Sequence, residues 1–342
     1  MLDKVLKPEL KNISEKVMSP LEFLQKQLVG RSAALVPFFL EEEITDILIN
    51  GTEQLFIEKR GVLSSVPNPF DNKESLQELI ERMILPLGKR VDAAQPYLDG
   101  RLTDGSRFHI ILPPIAVEGP LISIRKRRLQ NPLSLLDFGP PTMAEFLEKE
   151  TLRGANLLIA GGTGAGKTSL LSCLLNCISR LDRIAIIEET TEIQVNHPHV
   201  VHLEARAPSP EGRGEVTLQA LVKNSLRMRP DRLILGECRG AEAFDMLHAM
   251  NTGHRGSLGT IHANSALDAL RRLEGLAMMA GISLPMRTVK EWIGAAIQGV
   301  IYLEKRGGVR QVTEIISING LEGEVYRMTP RYKVQPLPLA TS

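Results

Sequence analysis

Eight consecutive residues limit what this chain can fold into more than any other feature. Gly161-Gly162-Thr163-Gly164-Ala165-Gly166-Lys167-Thr168 satisfies the pattern G-x-x-x-x-G-K-[S/T] at Gly161, Gly166, Lys167 and Thr168. The apolar run Asn156-Leu157-Leu158-Ile159-Ala160 precedes it, and Ser169-Leu170-Leu171-Ser172-Cys173-Leu174-Leu175 follows with helical character. The setting is therefore strand, glycine loop, helix. Such a loop lets successive backbone N–H groups turn toward one point, and the following helix directs its positive N-terminal end there. Residues 161–169 are expected to cradle the phosphates of a nucleoside triphosphate. Lys167 would reach the β- and γ-phosphates, and the Thr168 hydroxyl would hold Mg2+.

At 342 residues the length favours two domains, each able to bury its own core. Apolar residues make up 43% and charged residues 24%, the balance of an ordinary globular protein. A formal charge of +1 and an aromatic content of 4% give no global attraction to nucleic acid and few rings for base stacking. No apolar stretch approaches the ~20 residues of a membrane span. The start of the chain mixes charges where a signal peptide needs an apolar core, so a cytoplasmic location is expected. Cys173 and Cys177 are spaced i,i+4 on the helix after the loop, Cys238 lies far off, and all three read as buried small apolar residues.

The organisation follows from hydrophobic pattern. Residues 1–38 read as short helices interrupted by Pro8 and Pro20. Residues 39–126 read as a small α+β domain. Ile44–Ile49, Asn50-Gly51 and Leu55–Glu58 form strand, tight turn and strand. An amphipathic helix follows over 73–88, with further strands at Arg107–Leu112 and Leu121–Ile124. Residues 127–141, with Pro132, Pro140 and Pro141, read as a linker. From 142 onward short apolar strands at Leu157–Ala160, Ile184–Ile187, Leu233–Leu235 and Ser257–Ile261 alternate with helices. That is the pattern of a parallel sheet covered on both faces. Pro336 and Pro338 mark a frayed end.

Three features fall at the carboxyl ends of those strands, where open α/β sheets bind ligands. Ile184–Ile187 runs into Glu188-Glu189-Thr190, and a carboxylate there suits polarising a water for in-line attack on the γ-phosphate. Leu233–Gly236 leads to Glu237, in the position of the carboxylate that supports Mg2+ in the second nucleotide-binding motif. Here the acid is Glu, it follows a glycine, and Arg239 stands two residues on. His254 and His262 flank the strand at 257–261, and His262 could donate a hydrogen bond to the γ-phosphate. The run Arg125-Lys126-Arg127-Arg128 reads as a solvated linker face.

Together these segments resemble the traffic ATPases of bacterial secretion and type IV pili. Glu188-Glu189-Thr190 is similar to their acidic box, Leu226–Gly240 to their second nucleotide-binding motif, and Gly253–Asn264 to their histidine box. Leu98-Asp99-Gly100-Arg101-Leu102-Thr103-Asp104-Gly105-Ser106-Arg107 and Glu211-Gly212-Arg213-Gly214-Glu215-Val216-Thr217 resemble the tight-adherence (Flp) pilus branch, CpaF/TadA. The resemblance implies a RecA-like ATPase domain behind a smaller N-terminal α+β domain, with ATP and Mg2+ as cofactors. It implies a homohexamer, peripheral at the inner membrane through a platform protein of a pilus or secretion machine. It gives Arg101, Arg107 and Arg125 a role as arginines brought to the phosphates when the N-terminal domain closes. Glu189 departs from the Asp expected of the acidic box, so the water-polarising role is assigned to Glu188. Trp292 and Gln298 depart too, in a C-terminal helix. Alternative readings are a RecA-like nucleic-acid translocase, a type IV secretion ATPase, and a nucleotide-gated scaffold without turnover.

Overall fold

The computed structural model describes residues 24, 26–127, 133–208, 212–306 and 308–334. Most of the helical segment expected over residues 1–38, together with Arg128, Pro132, Glu211, Pro336 and Pro338, lies outside them. The chain divides into two compact units, Met1–Gln130 and Asn131–Ser342.

The first unit is built on an antiparallel sheet of order β3-β2-β1-β6-β5-β4. Its strands are β1 (Ile44–Asn50), β2 (Gln54–Lys59), β3 (Val62–Val66), β4 (Tyr97–Arg101), β5 (Arg107–Ile111) and β6 (Leu121–Arg125). The hairpin at Asn50-Gly51 is present, with Gly51 at φ +58°. Sequence pattern did not locate β3 or β4. The residues before β1 include a short helix, α1 (Val36–Leu40), and Leu24, Leu28, Leu35 and Phe39 are buried in the same core as the sheet. That core is closed by α2 (Lys73–Ile84), whose Asn72 side chain accepts the Ser75 N–H at 2.8 Å. The helix presents Leu76, Leu79, Ile80 and Met83 to Ile47, Ile49, Ile110 and Ile122, an i, i+3, i+4, i+7 stripe against one face of the sheet.

The second unit is a three-layer α/β domain. Its eight-stranded sheet has the order β14-β13-β12-β7-β11-β10-β8-β9. The strands are β7 (Leu157–Gly161), β8 (Ile184–Glu188), β9 (Val200–Glu204), β10 (Arg232–Leu235), β11 (Leu258–His262), β12 (Gly299–Arg306), β13 (Val309–Glu322) and β14 (Val325–Lys333). From β12 to β9 all neighbours run parallel, whereas β12, β13 and β14 form an antiparallel meander on one edge. The expected all-parallel sheet is therefore mixed. Helices α3 (Pro141–Leu152) and α4 (Lys167–Asn176) cover one face. Helices α5 (Leu218–Ser225), α6 (Glu242–Asn251), α7 (Ala266–Met278) and α8 (Met286–Ala296) cover the other. Alternate residues of a single strand serve the two layers: Leu157 and Ile159 join the α3/α4 core, Leu158 and Ala160 the opposite one. This two-sided burial is why the parallel strands read as continuous apolar runs. Gln298 lies just beyond α8 rather than inside it, and its side chain accepts the Asn156 N–H at 2.9 Å.

A phosphate loop and a row of charges at the strand ends

The loop 162–166 joins the last residue of β7, Gly161, to the first of α4, Lys167. Gly161 has no room for a side chain, since a Cβ there would lie 2.6 Å from the Leu303 carbonyl oxygen of β12. Gly166 caps α4 at φ +97°, a left-handed conformation that favours glycine. Gly162, Thr163 and Gly164 are exposed, Ala165 is buried, and Thr168 and Ser169 are half-buried in the first turn of α4. Lys167 is buried and donates from Nζ to the Gly161 and Gly162 carbonyls, each at 3.0 Å. Burial is the main force lowering its pKa, assisted by Arg239 and opposed by Glu237.

The sheet order sets β11, β10 and β8 beside β7 in that sequence, so their carboxyl ends form one rim. His262 ends β11 next to Gly161. Its ring nitrogens stand 3.4 and 3.5 Å from Lys167 Nζ, and its Nε2 is 2.8 Å from Glu237 Oε1. Burial, then the neighbouring Lys167 charge, push the His262 pKa down, with Glu237 opposing, which keeps the ring neutral near pH 7. His254 lies in the loop before β11, at the far end of that strand.

Glu237 follows β10 after Gly236. A side chain at Gly236 would meet Glu188 Cγ at 2.8 Å, which explains the glycine before the acid. Arg239 places Nη2 2.7 Å from Glu237 Oε2, and its Nη1 donates to Glu189. Glu188 is buried at the end of β8. Its Oε1 accepts the N–H groups of Glu192 at 2.8 Å and Ile193 at 3.0 Å. The structure thus joins Lys167, His262, Glu237, Arg239 and Glu189 in one chain of contacts. Glu188 sits beside that chain, holding the backbone of its own turn.

In the first unit, Arg101 pairs with Arg107 across β4–β5, and Arg107 pairs with Arg125 across β5–β6. The three arginines therefore stand side by side on one face of that sheet, followed on β1 by Asp46 opposite Arg125. Lys126 corrects the reading of the basic run as solvated. It is buried, and its Nζ donates to the carbonyls of Phe38 at 2.7 Å and Glu41 at 2.5 Å. Desolvation lowers its pKa.

Sequence reasoning missed two groups. Arg239 was noted only by its spacing, and its partner Glu189 comes from another strand. Arg310 of β13 lays its stem against Gly166, with Cδ 2.8 Å from where a Cβ would stand, and it belongs to a meander that the pattern did not reveal. The hydroxyl of Thr168 and the carboxylate of Glu237 are hard oxygen donors that suit Mg2+. The glycine cradle with a buried lysine suits a polyphosphate.

Residues 30–304 match the family described as type II/IV secretion system protein. A putative conjugal transfer protein of Mycobacterium tuberculosis is 37% identical over 325 residues, covering 92% of this chain and 91% of that protein. The conjugal transfer protein TrbB of Rhizobium radiobacter is 34% identical, covering 83% and 86%. Among solved structures, the pilus retraction motor PilT with bound ADP aligns at TM-score 0.60 and 19% identity, covering 92% of this chain and 83% of that one. That likeness establishes the RecA-like phosphate-loop fold.

Proposed function

The chain belongs to the type II/IV secretion system protein family, and we propose that it is an ATP-hydrolysing motor of a pilus or secretion machine. The observation that supports this best is the charged row from Lys167 through His262 to Glu237, set beside a glycine cradle at the carboxyl rim of the sheet. In this reading residues 161–169 hold the phosphates of ATP, and Lys167 turns from the loop carbonyls to the β- and γ-oxygens. Thr168 and Glu237 hold Mg2+, which when bound offsets the phosphate charge. Glu237 is the acid on which the attacking water depends, and neutral His262 donates toward the γ-phosphate. Because its Oε1 already accepts two backbone N–H groups, Glu188 shapes the acidic turn, and the row itself ends on Glu189. The arginine row of the first unit concentrates positive charge on three adjacent strands. Its proposed role is to grip the transferred phosphoryl group when the units close, so that hydrolysis and release become motion.

The assembly read for this motor is a homohexamer, peripheral at the inner membrane through a platform protein. The stretches 98–107 and 211–217 favour the tight-adherence (Flp) pilus branch. The names of the two relatives favour conjugal transfer as the second reading. Deleting the gene separates the two: loss of surface filaments supports the first, loss of DNA transfer with filaments intact supports the second. Glu237→Gln tests the chemistry. Bound ATP should persist while turnover drops at least ~10²-fold, read by nucleotide retention and phosphate release. Unchanged turnover would sink the assignment.

A further inference from the structure

Arg239 is fixed at both its backbone and its side chain. Its N–H donates to Glu242 Oε1 at 2.7 Å, and the same buried oxygen accepts the Gly240 N–H at 2.7 Å. From that anchored position the guanidinium spans two carboxylates delivered by different strands, Glu237 after β10 and Glu189 after β8. The turn bearing Glu189 is itself held by Glu188 through the Glu192 and Ile193 N–H groups. Arg239 and Glu189 are each about half exposed, at 53% and 51%. An exposed pair of this kind contributes little to stability, too little for folding to be its purpose.

We propose that Arg239 is a positioning residue for Glu237, with Glu189 as its counter-anchor. The acidic turn then acts on hydrolysis through Arg239 rather than by touching the nucleotide. The planar fork of arginine can satisfy two carboxylates at fixed angles, which a lysine ammonium cannot. The length of Glu189 is part of the device, because an aspartate is one methylene shorter and its carboxylate falls back from the guanidinium. The inference rests on the reading of Glu237 as the acid that supports hydrolysis.

A double-mutant cycle on the full chain tests it, with Glu189→Gln, Arg239→Gln and the pair. The readouts are kcat and KM for ATP, affinity for a fluorescent ADP analogue, and the melting temperature. Each single substitution should lower kcat about 3- to 10-fold, leaving KM and analogue affinity within twofold. The pair should be no slower than Arg239→Gln alone, and Glu189→Asp should resemble Glu189→Gln. Effects that multiply in the pair, or losses that appear in KM or analogue affinity, would overturn the proposal. Absence of turnover in the unsubstituted chain would instead overturn the reading of Glu237 on which it rests.

Discussion

Single residues in this molecule are set by what lies within a few ångströms of them. At Gly161 the neighbour is the Leu303 carbonyl of β12, so Gly161→Ala forces the loop or the strand to shift. A loss of about 1–3 kcal/mol is expected, together with weaker nucleotide binding, measurable by urea unfolding and analogue titration. The cysteines show the opposite case, chemistry silenced by surroundings. Burial pushes the Cys173 thiol up to about 12 and raises Cys238 and Cys177 as well. Their thiolate fractions at pH 8 fall below that of a free cysteine, and thiolate is the reactive form. A thiol reagent at pH 8 should label the folded chain slowly, Cys177 first because it is only half-buried, and all three promptly in denaturant. Rapid labelling of Cys238 in the folded chain would contradict the packing. The residue types at the rim were legible in the sequence, as Lys167, Glu237 and His262 each end or follow an apolar run. The pairing of Glu189 with Arg239 was not, since it depends on which strands lie side by side.

Elements differ in legibility for a physical reason. Strands buried on both faces, such as β7, β8, β10 and β11, consist almost wholly of apolar residues and announce themselves. The edge strands β3 and β14 are mostly exposed, with β3 showing no buried residue and β14 only Tyr326. Their apolar positions are diluted by serines in β3 and by charged residues in β14, and nothing local distinguishes them from loops. The turn that leads into helix α6 depends on a side-chain anchor that sequence spacing also hides. Glu242, its first residue, reaches back to the N–H groups of Arg239 and Gly240. Glu242→Ala should cost about 1–3 kcal/mol by leaving the Arg239 and Gly240 N–H groups without their acceptor, read from chemical denaturation, and should lower kcat more than its stability loss explains, because the backbone of Arg239 loses its anchor.

Among the described residues there are three apolar clusters, one beneath the antiparallel sheet of the first unit and two flanking the mixed sheet of the second. Calorimetry should resolve two transitions. Saturating Mg-ADP should raise only the one belonging to residues 131–342, by about 2.7 kcal/mol of stabilisation at a hundredfold excess over Kd. A single transition, or a shift of both, would show that the units unfold as one. No helix among the described residues is long and apolar enough to cross a membrane. The rim of the mixed sheet has one more consequence. Along the chain its charged groups come in the order Lys167, Glu189, Glu237, Arg239, His262, whereas across the sheet His262 stands next to Lys167 and Glu189 is farthest away. Apart from Glu237 and Arg239, no short segment holds two neighbours of the site. A graft, a chimera or a recombination event must therefore exchange residues 157–262 as one block, and crossovers inside it would bring together groups that never faced each other.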